Sequence, residues 1–152
     1  MEKSAAFRGR YEHTVDEKGR TALPARFRDA LRARHEDRLV VTCGLEPCLV
    51  AYPLGEWRAF EKRLSKLPQF DPSVVRLKRM YVSSAIDCPV DRQGRLLLPP
   101  TLREHAALSK DVLWAGMLSH IELWSRERWL RIAAIDDDER QRLRQALGEL
   151  GL

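Results

Sequence analysis

From residue 7 the chain alternates Phe7, Gly9, Tyr11, His13 and Val15 with Arg8, Arg10, Glu12 and Thr14. That period of two predicts a strand with one buried face and one basic or polar face. A turn at Asp16-Glu17-Lys18-Gly19-Arg20 leads to a short return strand through Ala22 and Leu23. Phe27, Ala30 and Leu31 then recur at helical spacing, which predicts a helix over about 24–34 with Pro24 in its first turn and Arg26, Arg28, Arg32 and Arg34 mostly outside. Two apolar runs, Leu39 to Cys43 and Cys48 to Tyr52, flank the turn residues Gly44-Leu45-Glu46-Pro47 as a second hairpin. Trp57, Phe60 and Leu64 give a covering helix its period.

The same order of elements then returns. Asp91-Arg92-Gln93-Gly94-Arg95 repeats the first turn, Val82, Ser84, Ile86, Cys88 and Val90 repeat the alternation before it, and Leu102-Arg103 answers Phe27-Arg28, all 75 positions later. Val112 to Gly116 and Ile121 to Trp124 form the second copy of the apolar hairpin; Gly44 is matched to Gly116 and Trp57 to Trp129, an offset of 72. A contraction between helix and hairpin accounts for the change. An internal repeat of this kind makes the unit of folding one element set used twice. Between the copies, Asp71-Pro72-Ser73 starts a helix whose Val74, Leu77 and Tyr81 share a face. After Asp136-Asp137-Asp138, Leu143, Ala146, Leu147 and Leu150 resume a helical period in a tail that packs on the body, docks on a neighbouring subunit or frays. The expected divisions are 5–54 and 81–125 for the repeats, 55–80 for a helical linker and 126–152 for a helical tail.

Charge narrows the choice of partner. The net charge is +5; residues 1–80 hold 17 Lys and Arg against 11 acids, whereas residues 81–152 hold 10 against 11, so the first half should dominate long-range attraction to a polyanion. Enzyme chemistry finds no foothold. The four histidines form no H-E-x-x-H pattern, and no phosphate-binding glycine loop, G-x-S-x-G turn or paired-cysteine zinc site occurs, so no metal or cofactor is expected. Cys43, Cys48 and Cys88 read as small buried hydrophobes of a reducing compartment. Met1-Glu2-Lys3-Ser4 lacks the apolar core of a signal peptide and no stretch approaches a membrane span, which gives a cytoplasmic expectation.

The paired turns hold the candidate chemistry. Asp16 and Asp91 can accept N–H bonds from residues further along each turn, and Gly19 and Gly94 supply a positive φ, so folding alone accounts for these four. Arg20 and Arg95 are not needed by a turn. Each either lies across the aspartate of its own loop or projects toward a phosphate or a guanine edge. Two basic loops at fixed spacing suit duplex DNA. Lys18 adds to the first loop and is replaced by Gln93 in the second, while Arg10 and Arg28, with Arg8 and Arg26, extend a basic surface.

With Asp16 to Arg20, Leu23-Pro24, Phe27-Arg28, Tyr52-Pro53 and Trp57, then Asp91 to Arg95, Pro99, Leu102-Arg103, Glu122-Leu123-Trp124 and Trp129 in view, the chain resembles the MraZ family of bacterial transcription regulators. The likeness spans residues 5 to about 130. It implies an α+β, β-rich fold in which two AbrB-like swapped-hairpin repeats interlock as a small barrel with flanking helices. It further implies ring-shaped homo-oligomers, association with the nucleoid, and repression at promoter repeats of the division and cell-wall gene cluster, including the regulator's own. By position, Arg20 and Arg95 become DNA-contacting residues, and Asp16 and Asp91 hold the loops. Because AbrB-like folds also occur in antitoxins, a protein-binding module of that type is the alternative.

Overall fold

In the computed structural model, residues 6–152 are described; Met1 to Ser4 and the expected repeat start at residue 5 lie outside them. The first copy contributes β1 (Arg10–Thr14), β2 (Arg20–Ala22), α1 (Ala25–Ala33), β3 (Arg38–Cys43), β4 (Leu49–Pro53) and α2 (Leu54–Ser65). A linking helix α3 (Pro72–Leu77) runs into a π-helical segment, Lys78–Val82. The second copy supplies β5 (Ile86–Pro89), β6 (Arg95–Leu97), α4 (Pro100–His105), β7 (Asp111–Gly116), β8 (Ile121–Ser125) and α5 (Arg126–Ala133), and α6 (Asp137–Glu149) ends the chain. The fold is α+β, and every strand pairing among the described residues is antiparallel.

Strand exchange between the copies builds the main sheet, whose order is β1-β7-β8-β4-β3-β5. The first strand of each copy pairs with the hairpin of the other, β1 on β7 and β5 on β3. Swapping the two copies and reversing the order gives the same list, so the sheet has an internal two-fold relation centred on β4 and β8, where Val50 faces Glu122. The short return strands β2 and β6 leave this sheet and pair with each other.

Register corrects one sequence correspondence. His13 faces Val112 and its counterpart Cys88 faces Leu39, so Leu39 corresponds to Val112 and Cys43, not Gly44, takes the place of Gly116. The hairpin of the first copy simply has one more residue in its turn, Gly44 to Cys48 against Met117 to His120. The strand expected over 7–15 is also shorter, because Gly9 turns at φ +100° and the ladder starts at Arg10. Phe7 still bridges to Leu118, and Val15 to Thr21.

Apolar burial follows the strand period. Leu39 and Val41 face one cluster together with Phe7, Phe27, Leu96, Leu98, Leu102 and Trp114; Val40 faces the other with Val50, Tyr52, Trp57, Tyr81 and Trp124. Both faces of β3 are therefore covered, which is why its sequence is a continuous apolar run. The first cluster lies between the sheet and the ribbon, with α1 and α4 contributing Phe27 and Leu102. The second lies under α2 and the π segment, where the Tyr52 and Tyr81 hydroxyls meet at 2.6 Å.

Helix ends obey local chemistry. Asp71 accepts the N–H groups of Ser73 and Val74, as the Asp-Pro-Ser start requires, while Pro24 occupies the N-cap position, one residue before the turn assigned to it. A simple helical stripe does not predict the π segment, whose wider turn keeps Tyr81 in the aromatic cluster. In the tail, Asp136 accepts the Glu139 N–H at 2.8 Å and starts a continuous helix, none of whose side chains is buried.

Candidate nucleic-acid interface

The two turns are built by the same bonds. In the first, Asp16 Oδ1 accepts the backbone N–H of Lys18 and of Arg20, each at 2.9 Å, and Gly19 N–H reaches Asp16 O at 3.0 Å. In the second, Asp91 Oδ1 accepts from Gln93 and Arg95, again at 2.9 Å, and Gly94 N–H reaches Asp91 O at 2.9 Å. These donors, led by the arginine backbone N–H, hold both carboxyls below the ordinary aspartate range, so they stay ionised. Gly19 and Gly94 sit at φ +88° and +79°.

Each loop is also tied to the other copy. Leu98 N–H donates to Gly19 O and Leu23 N–H to Gly94 O, both at 2.8 Å. A Cβ placed on Gly94 would lie 2.2 Å from Arg28 Nη1, and one on Gly19 would lie 2.9 Å from Arg103 Nε. Arg28 therefore roofs the second loop although it belongs to the first copy, and Arg103 roofs the first. Arg103 Nε donates to Leu98 O at 3.0 Å; Arg28 Nε is buried and has no hydrogen-bond acceptor among the described residues.

Arg20 and Arg95 each lie across the aspartate of their own loop. Arg20 Nε donates to Asp16 Oδ2 at 2.9 Å and Arg95 Nε to Asp91 Oδ2 at 3.4 Å. Each arginine side chain is about a third exposed, at 36% and 35%, and the clasp uses only Nε among the five N–H donors of its guanidinium. The outer edge of the fork is left for another acceptor, with its angle set by the aspartate.

Pairing of the return strands brings the arginines together. Arg20 faces Leu97 and Ala22 faces Arg95, while Thr21 and Leu96 face each other. Side chains alternate across the ribbon, so buried Thr21 and Leu96 point inward and Arg20, Leu97, Ala22 and Arg95 share the outer face. Arg20 and Arg95 are diagonal neighbours on it, about 7–8 Å apart. Leu97, 59% exposed, stands opposite Arg20. Its place among three consecutive leucines hid it, although its spacing from Arg95 already put both on one face.

Lys18 is exposed at the tip of the first loop. Arg10 is not brought to this face; it lies at the far end of β1, with its guanidinium 5.1 Å from the Trp129 ring centre. Among the described residues no group of His, Cys, Asp and Glu could hold a metal ion, and no helix is long and apolar enough to cross a membrane.

Comparison with known proteins bears directly on this arrangement. The family model described as "MraZ protein, putative antitoxin-like" matches twice, over residues 6–80 and 82–149. The chain belongs to the MraZ family. Among curated relatives, the transcriptional regulator MraZ of Desulfitobacterium hafniense (strain DSM 10664 / DCB-2) is 41% identical over 96% of this chain and 99% of its own length. That of Roseiflexus castenholzii is 42% identical over 95% and 98%, and that of Lachnoclostridium phytofermentans 46% identical over 81% and 84%. The two MraZ repeats divide close to Tyr81, in the π segment that links the strand-exchanged halves. The relatives are named as transcriptional regulators, which is not a description of an enzyme.

Proposed function

We propose that this MraZ-family chain is a DNA-binding transcriptional regulator, a repressor that acts through the outer face of the β2–β6 ribbon. The observation that carries the reading is the diagonal pair Arg20 and Arg95, each angled by its own aspartate and each keeping free N–H donors. Such forks suit phosphate oxygens and the O6 and N7 edge of guanine, and Leu97, opposite Arg20, suits a thymine methyl. Lys18, and Arg28 over Gly94, extend the cationic surface; Asp16, Gly19, Asp91 and Gly94 fix its shape. Arg10 is assigned no part in it.

The target, by family likeness, is the promoter of the division and cell-wall gene cluster, including the regulator's own, and the place of action is the nucleoid. The sheet and ribbon close as the small barrel of a swapped-hairpin protein, and subunits associate into a ring. Uncovered Leu130, Ile132 and Leu143 on α5 and α6 support that association. Gel shifts against the region upstream of its own gene test the assignment. Arg20→Ala and Arg95→Ala should each weaken the complex, and unchanged affinity in both overturns it. The antitoxin-like description of the family supports a second reading, a protein-binding module; a co-purifying partner protein without retention on DNA would favour it.

A further inference from the structure

The bonds that build the two loops make positions 17 and 92 structurally equivalent: each lies one residue after the capping aspartate and one before the residue whose N–H that aspartate accepts. Both side chains are exposed, and among the described residues neither makes a hydrogen bond or an ion pair. Yet they carry opposite charges. Glu17 occupies the tip of the first loop and Arg92 that of the second.

The consequence for local charge runs against that of the whole halves. Asp16, Glu17, Lys18 and Arg20 cancel, whereas Asp91, Arg92 and Arg95 leave one positive charge. One arginine roofs each loop, Arg103 the first and Arg28 the second, so the roof does not restore the balance. Behind the loops the neighbours differ the other way: Lys110 O accepts from Val15 N–H and Asp37 O from Val90 N–H. The Asp37 carboxylate, however, already meets Arg38 Nε at 3.2 Å. The difference that a bound polyanion meets first is the one at the tips.

A guanidinium on a tip that carries no internal partner binds phosphate oxygens well, because none of its donors is committed to the fold. A carboxylate at the same place repels phosphate and can only accept, from a base amino group for instance. We propose that Arg92 is a phosphate-contacting residue and that the second loop, rather than the first, is the stronger backbone anchor of the interface. This rests on the DNA-binding reading above. It adds a contact residue outside the arginines that close the two turns, and it predicts that the paired loops are not interchangeable.

Phosphate contacts are independent of sequence, so the probe is a random-sequence duplex, titrated by fluorescence anisotropy over a salt series with the full chain. Arg92→Gln should weaken binding and flatten the slope of log affinity against log salt by about 0.9 for each such loop in contact. Arg92→Lys, which keeps the charge, should keep the slope. Wild-type affinity and slope in Arg92→Gln, with binding still lost in Arg20→Ala, overturns the role of Arg92 and leaves the DNA-binding reading standing. An Arg92→Lys slope as flat as that of Arg92→Gln also overturns it, because the effect would not be one of charge. If the folded wild-type chain binds no duplex at all, both readings fall together.

Discussion

Two glycines of the same motif face different obstacles. At Gly94 an added Cβ meets the Arg28 side chain, which can swing away; at Gly19 it lies 2.7 Å from Leu98 O, a backbone atom directly after β6 that accepts the Arg103 Nε–H. Both positions also have positive φ, which costs an ordinary residue about 1–2 kcal/mol. Gly94→Ala should therefore lose roughly that amount, and Gly19→Ala more, as measured by urea denaturation of the two variants side by side. Equal losses would mean that Leu98 yields as readily as an arginine side chain. The turn residues were legible in the sequence because their requirements are local: a short acceptor, a positive φ and a fixed spacing. Helical spacing alone places Arg28 on the outward face of α1. It lies instead over a glycine 66 positions away, a contact no local pattern encodes.

At the scale of elements, alternation found the strands but not their partners. Each inner run, Leu39 to Cys43 or Val112 to Gly116, has the same composition whichever first strand it pairs with, so exchange between the copies leaves no mark in a window of ten residues. The one-residue slip in matching Gly44 to Gly116 has the same origin, since register is set by cross-strand pairing and the turn lengths differ. In the proposed function the β2–β6 ribbon matters most, because one pairing positions both arginines. Leu96 is fully buried beneath it. Leu96→Ala should cost about 2–5 kcal/mol through the cavity it leaves and should weaken DNA binding through both loops at once. Calorimetric unfolding together with a DNA titration checks this; loss of stability with full affinity would show that the arginines do not depend on the ribbon.

For the whole molecule, the strand exchange means that neither copy completes its own sheet. Without β5 and β7, the first copy leaves β3 with one unpaired edge and β1 with no partner. Because β1 and β5 are equivalent, a second first copy can supply what is missing. The fragment 1–80 should accordingly form a folded homodimer, seen by sedimentation, and a folded monomer would contradict the exchanged topology.

The central claim is that Arg20 and Arg95 form a single DNA-binding face. It is tested most directly by titrating the double variant Arg20→Ala/Arg95→Ala against duplex DNA across a salt series, beside the wild type. The account predicts a folded protein with weaker binding at every salt concentration and a slope reduced by about 1.8, the release expected for two lost phosphate contacts. A folded double variant with the affinity and salt slope of the wild type would contradict it.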